Sequence, residues 1–228
     1  MDEFSPLEQK LGIEFSDKTL LKQAFIHRSY LNEHPEITLP HNERLEFLGD
    51  AVLELAVTRF LYLNYPNPEG ELTNWRAALV NAKICGEIAE SLGFNDFMLL
   101  SKGEAKDSGK ARHFILANAM ESFIGALYLD KGYDDAAEFI GKHVLPQLPS
   151  IIEEQRYQDP KSKFQEKAQE VVGVTPTYNV LSESGPDHAK QFVIGVYLNE
   201  ELISKGEGSS KQEAQEDAAA NGLKEKGW

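Results

Sequence analysis

The feature that most constrains the fold is a change in apolar period partway along the chain. Up to about Ile152, apolar residues recur at helical spacing in Lys18–Tyr30, Glu43–Tyr65, Thr73–Leu92, Ala111–Asp130 and Tyr133–His143. Helix breakers fall between these segments: Pro35 and Pro40, the stretch Tyr65–Gly70, the stretch Ser101–Gly109, then Pro146 and Pro149. Nothing here alternates for long enough to build a sheet, so residues 1–152 are expected to form an all-α domain. Glu153–Pro160 is polar and ends in proline, which makes residues 153–160 the linker candidate. Beyond it the pattern switches. Lys161–Val172 reads as a helix, Thr177–Leu181 opens a strand, and Gln191–Asn199 alternates with Phe192, Ile194, Val196 and Leu198 on one face. A polar turn leads to a short third strand, and Ser209–Lys224 is an alanine-rich helix. The expectation is a multi-domain chain: an all-α domain followed by a small α+β module, α-β-β-β-α, over residues 161–228.

Composition limits what such a chain can do. At 228 residues both parts can bury a core. One cysteine, Cys85, allows no intramolecular disulfide and no zinc cluster, which suits a reducing compartment. The first ten residues are partly acidic and carry no apolar run, unlike a secretory signal. The longest apolar stretch, Phe114–Leu129, is interrupted by Asn118, Glu121 and Ser122 and is too short to cross a bilayer. A soluble, cytoplasmic protein with no membrane partner is expected. The net charge of −14 counts against a nucleic-acid partner, because phosphate binding usually leaves a basic footprint. Residues 1–156 hold 15 Lys+Arg against 25 Asp+Glu, and residues 157–228 hold 8 against 12. Contacts to a polyanion would have to come from locally placed lysines and backbone amides.

Two apolar helices carry acids that do not belong in them. The helix opening at Asn42 contains Leu45, Phe47, Leu48, Val52, Leu53, Leu55, Val57 and Phe60, and such a segment is expected to be buried nearly all round. Glu43, Glu46 and Asp50 nevertheless share one of its faces, at spacings of three and four. Asn118 and Glu121 repeat the pattern in the later helix. A buried carboxylate without a partner costs several kcal/mol. A hard divalent ion answers that cost, since Mg²⁺ takes one or two carboxylates plus water and substrate phosphate. The alternative is that these acids line solvated stripes or pair with Arg44, Arg59, Arg76 or Arg112. Spacing alone suggests metal and names no reaction.

His27-Arg28-Ser29-Tyr30, the run Asn42–Asp50 (NERLEFLGD), Gly70-Glu71-Leu72-Thr73 and Ala117–Asp130 together resemble the ribonuclease III catalytic domain, in the order expected of that family. The resemblance implies that Glu46, Asp50 and Glu121 coordinate metal, that Glu43 supports them, and that Phe47 is a knob at a homodimer interface. Plain core packing is the other reading of Phe47. The family usually has aspartate where this chain has Asn118. An amide can still ligate Mg²⁺ or orient its water, but it brings no charge.

The module from Lys161 to Trp228 resembles a double-stranded RNA-binding domain. Lys161, Gln165 and Glu166 on the first helix carry the likeness, with His188 in the loop after the first strand and Gly206–Lys211 before the last helix. A glycine-bearing loop there would offer amides and a positive helix end to phosphate, with Lys211 adding a point charge. Ser209 and Ser210 also suit ordinary helix capping. Gln212 stands where the family often has a second basic residue, so weak affinity is expected for this module alone. A dimer would present two modules to one duplex.

The resemblance as a whole implies an endoribonuclease that hydrolyses double-stranded RNA with Mg²⁺, or Mn²⁺ as a substitute. It implies 5′-phosphate and 3′-hydroxyl ends and short 3′ overhangs. The rivals are a duplex-RNA binder that has lost turnover through Asn118 and, more distantly, a phosphohydrolase acting on small nucleotides.

Overall fold

The computed structural model describes residues 3–106, 109–154, 157, 159–186 and 190–228, excluding the side chain of Lys110. The chain divides into two compact units, Met1–Tyr157 and Gln158–Trp228. Among the described residues no helix is long and apolar enough to cross a membrane.

The first unit is helical: α1 (Ser5–Leu11), α2 (Lys18–Ala24), α3 (Arg28–Glu33), α4 (Glu43–Asn64), α5 (Glu69–Leu79), α6 (Ala82–Ser91), α7 (Lys110–Lys131), α8 (Tyr133–His143) and α9 (Leu148–Glu153). Helix α7 is its axis and packs against α2, α4, α6 and α8. Leu116, Ala119, Met120, Phe123, Ile124 and Leu127 are buried along it. The Phe123 ring meets Phe15, Phe25, Phe94 and Phe139 in tilted or edge-on contacts with centroids 5.0 to 6.4 Å apart. Burial of one such ring contributes roughly 1.5–3 kcal/mol, and favourable ring pairs add about 0.5–1.5 kcal/mol each.

Two expected helices are each divided. Lys18–Tyr30 breaks between Ala24 and Arg28, because Ile26 forms a parallel bridge with Leu99 and His27 caps α3. Thr73–Leu92 breaks at Val80 and Asn81, where the Asn81 side chain accepts the N–H of Ile84 and starts α6. The expected burial of α4 on all sides is also corrected. Phe47 is 81% exposed, Leu55 56% and Tyr62 78%, with Ala51 and Thr58 also exposed between them. At helical spacing these residues form one apolar stripe facing away from the core.

Polar ties lock distant segments. Asn42, only 3% exposed, donates its backbone N–H to Ile26 and its Nδ2–H to the Ala24 carbonyl (3.2 Å). Its own carbonyl accepts the Ser122 hydroxyl at 3.3 Å. At the far end of α7, the Asp130 carboxylate accepts the amides of Ser16 (2.8 Å) and Asp17 (2.7 Å).

The second unit runs α10 (Pro160–Val172), β1 (Thr177–Ser184), β2 (Gln191–Leu198), β3 (Glu201–Gly208) and α11 (Lys211–Lys226). The strands form an antiparallel sheet in the order β1-β2-β3. The third strand is as long as the other two, not short. Phe192, Ile194, Val196 and Leu198 are buried on one face of β2. Phe164, Ala168, Ala218, Ala219 and Leu223 pack with Val196 and Leu198. The alanines let α11 lie close to the sheet, so that a Cβ on Gly206 would collide with the backbone of Ala218. Helix α9 includes Glu153 and α10 includes Pro160, so both ends of the expected linker are helical; its residues 155, 156 and 158 lie outside the described residues.

Candidate functional site

The acids of α4 and α7 meet because the two helices cross at glycine. A Cβ on Gly49 would collide with the Glu121 carbonyl, and one on Gly125 would collide with the Leu45 carbonyl. Backbone therefore lies on backbone at this crossing, as only residues without side chains allow. Glu46 and Asp50 flank Gly49 in α4; Asn118 and Glu121 lie one turn apart in α7, one turn before Gly125. Those glycines were missed as site determinants. The available signal was a glycine inside each of two otherwise strong helices, where it weakens the helix by about 1 kcal/mol unless close packing requires it.

The electrostatics are those of crowded, undercompensated anions. Burial pushes the Glu121 carboxyl up to about 7, and the charges of Asp50 and Glu46 add to the rise. Glu46 is also raised, first by burial and then by Glu43 and Asp50, while a hydrogen bond from the Asn118 side chain opposes the rise. Because it accepts that bond as a carboxylate, Glu46 is paired with the amide of Asn118 and not repelled by it. Buried Cys85 feels the same anions: burial, then Glu121 and Asp50, push its thiol up to about 12, so it stays protonated and inert. Among the described residues, no ion pair joins Arg44, Arg59, Arg76 or Arg112 to Glu46, Asp50 or Glu121. Arg76 instead donates to Thr58 Oγ1 (3.1 Å) and Arg112 to the Ala105 carbonyl (3.2 Å). Glu43 stands apart and exposed, with Arg28 and His41 each 3.8 Å away.

Also among the described residues, no three His, Cys, Asp or Glu side chains converge into a ready-made metal cage. Hard divalent cations take oxygen donors, and one that keeps several of its waters needs only one or two carboxylates plus substrate phosphate. The oxygen donors of Glu46, Asp50, Glu121 and the Asn118 amide fit a hard divalent cation of that kind.

In the second unit the three expected patches fare differently. Lys161 donates its Nζ to Gln215 Oε1 (2.7 Å) and lies 5.4 Å from the Tyr178 ring centroid, while Gln165 and Glu166 are exposed on α10. His188 lies outside the described residues. Gly206 and Gly208 belong to β3, not to a loop, because they pack against α11. Ser210 caps α11 by accepting the Glu213 N–H (3.1 Å). Ser209 donates both its N–H (2.9 Å) and its hydroxyl (2.5 Å) to the Glu213 carboxylate. The start of α11 thus already holds an anion of its own. Lys211 is exposed, with its ammonium 5.7 Å from the Phe192 ring centroid.

Residues 17–148 match the family described as Ribonuclease-III-like, and residues 160–226 match the Double-stranded RNA binding motif. A protein from Oceanobacillus iheyensis named Ribonuclease 3 is 47% identical over 96% of each chain. Its namesake from Enterococcus faecalis is 43% identical over 96% of this chain and 95% of its own. Among solved structures, the nuclease domain of ribonuclease III from Campylobacter jejuni matches with a TM-score of 0.58 and 41% identity, covering 65% of this chain and 98% of that one. With its acids aligned across the α4–α7 glycine crossing and a double-stranded RNA-binding fold following in sequence, this chain belongs to the ribonuclease III family.

Proposed function

We propose that this protein is a divalent-metal-dependent endoribonuclease that hydrolyses double-stranded RNA and acts as a homodimer. The observation that carries this reading is that Glu46, Asp50 and Glu121 feel one another's charge across the crossing of α4 and α7, with no arginine ion-paired to them among the described residues. Relatives named Ribonuclease 3 that align over nearly the whole chain support the same activity.

Glu46, Asp50 and Glu121 would hold Mg²⁺, or Mn²⁺ in its place, with Asn118 as a neutral fourth donor and Glu43 supporting from the rim. When bound, the metal supplies Lewis-acid stabilisation of charge at phosphorus and activation of water. The chain's own residues set the geometry. The glycine crossing fixes the separation of the two helices, and the Asn118 side chain offsets part of the rise that burial imposes on the Glu46 carboxyl. Products would be 5′-phosphate and 3′-hydroxyl ends with short 3′ overhangs. Lys161, Gln165, Glu166, His188, Ser209, Ser210 and Lys211 would contact the duplex, reading A-form shape more than sequence. Glu213 already occupies the start of α11, so Lys211 and the flanking side chains carry more of the phosphate contact than free amides do. Residues 153–160 would be the linker. The stripe of Phe47, Leu55 and Tyr62 is the proposed dimer face; a Campylobacter jejuni ribonuclease III nuclease domain is described as having a region involved in dimer formation. A cytoplasmic setting fits a chain with a single buried, protonated cysteine.

A second reading, a duplex binder with weak or no turnover, is favoured by one observation. The amide at 118 removes a charge from the donor set and also engages Glu46. Incubating a long RNA duplex with protein and Mg²⁺, with and without Asn118→Asp, separates the two. Cutting by the unmodified chain supports the enzyme. An intact duplex, with cutting only by Asn118→Asp, makes this chain a binder.

A further inference from the structure

A cavity of about 240 Å³ lies against the acidic site, bordered by His27, Arg28, Glu43, Glu46 and Asn118. Two of these residues, His27 and Arg28, have no part in the metal-binding reading. The His27 ring is fixed from behind. Its Nδ1 accepts the backbone N–H of Ser29 (3.3 Å) as the cap of α3. A backbone amide can only donate, so Nδ1 carries no proton and the neutral ring bears its proton on Nε2. The Ser29 hydroxyl sits 2.8 Å from the same Nδ1, to which it donates when Nδ1 is unprotonated, and it accepts the Ser101 N–H at 3.1 Å. Burial, the largest influence, lowers the basicity of the ring and favours the neutral form at pH 7. Nε2–H is then the ring's free donor, with no partner among the described residues.

Arg28 is poised differently. Its side chain is 73% exposed, and its nearest carboxylate, Glu43, is 3.8 Å away. That is too long for a direct hydrogen bond, so the pair is loose and easily exchanged for a stronger anion. In a chain of net charge −14, a polyanion brought up to Glu46, Asp50 and Glu121 meets repulsion. A neutral donor and an adjacent guanidinium at the edge of those acids provide a foothold for one phosphate without cancelling the site's affinity for cations.

We propose that His27 Nε2–H and the Arg28 guanidinium together hold a backbone phosphate of the RNA strand presented for cleavage, setting that strand's register against the acids of α4 and α7. This rests on the endoribonuclease reading, and it assigns to the catalytic unit a phosphate contact independent of the second unit.

Two substitutions test it. His27→Asn keeps a side-chain acceptor suited to capping α3 but removes the ring donor. Arg28→Gln removes the charge from an exposed position. Two measurements are made on the full-length chain: kcat and KM on a defined RNA duplex with Mg²⁺, and duplex affinity against salt concentration without divalent metal. The expected result for His27→Asn is a fall in kcat/KM of about 10- to 100-fold, the loss of one hydrogen bond to a charged group, with an unchanged melting temperature. For Arg28→Gln, weaker binding and a salt dependence shallower by about one phosphate contact are expected. If both variants bind and cut as the unmodified chain does, the proposal is overturned. It is equally overturned if His27→Asn loses stability and activity together while Arg28→Gln changes nothing, since His27 is then only a cap. Failure of the unmodified chain to cut duplex would instead reject the endoribonuclease reading, and the metal-free salt dependence of Arg28→Gln would still test the phosphate contact.

Discussion

Glu121 ties the chemistry of the site to the stability of the fold, and Glu121→Gln exposes that link. The carboxyl is raised from its ordinary 4.5 to about 7, by burial first and then by Asp50 and Glu46. Between those two values the folded state keeps a proton that the unfolded state has released. Stability therefore falls as pH rises through this window and levels off above about 7. The full rise corresponds to at most about 3.4 kcal/mol. Glu121 is partly open to water, and screening reduces the expected effect to about 1–2 kcal/mol. Glutamine keeps the shape and removes the titration. Urea unfolding of both proteins in EDTA, from pH 4 to 8.5, gives the difference directly. The variant should match the parent below about pH 4.5 and exceed it by about 1–2 kcal/mol above pH 7. Millimolar Mg²⁺ should then stabilise the parent more than the variant, because binding to the folded state alone adds to its stability. A difference that does not change with pH, or one that favours the parent at high pH without metal, refutes the electrostatic account.

Two further outcomes test the scaffold. Gly49→Ala should destabilise the first unit by about 1–3 kcal/mol or more and abolish duplex cutting, because the added methyl forces α4 away from the Glu121 carbonyl; a melting curve that superimposes on the parent's would show that the crossing is not tight. Phe47→Ala should leave the helical content unchanged, since the side chain is 81% exposed, while weakening self-association by about 100-fold in analytical ultracentrifugation; undiminished association would remove the stripe as the dimer face.

How much was legible depended on whether a feature is local. Helices α4 and α7 and the alternation in β2 were readable because a long run carries its own period. The break at Ile26 was not, because its cause is a bridge to Leu99, far along the chain. The break before α6 depends on the capping geometry of Asn81, which an apolar count does not register. The exposure of Phe47 was hidden for a related reason: a helix apolar on nearly every side gives no sign of which face meets the core. At the site, the chemical groups were legible and their arrangement was not. Glu46, Asp50, Asn118 and Glu121 announce themselves as polar residues in apolar helices, but Gly49 and Gly125 bring them together and carry no chemistry of their own. In the second unit, the capping role of Ser210 was foreseeable from residue type, whereas the engagement of Ser209 by Glu213 needed the structure.

Asn42 bears on how mutational scans of this protein are interpreted. It opens the acidic run and ties the Ala24–Ile26 segment to α4 and, through its carbonyl and Ser122, to α7, so its replacement is expected to destabilise the first unit. A loss of cutting on replacing it would mimic the loss of a chemical group, although its amide donates to the Ala24 carbonyl and not to an acid. Scored by activity alone, Asn42 and Glu46 would fall in the same class. Scored jointly by activity and by the quantity of folded protein recovered, the hinge pin and the proposed metal ligand separate.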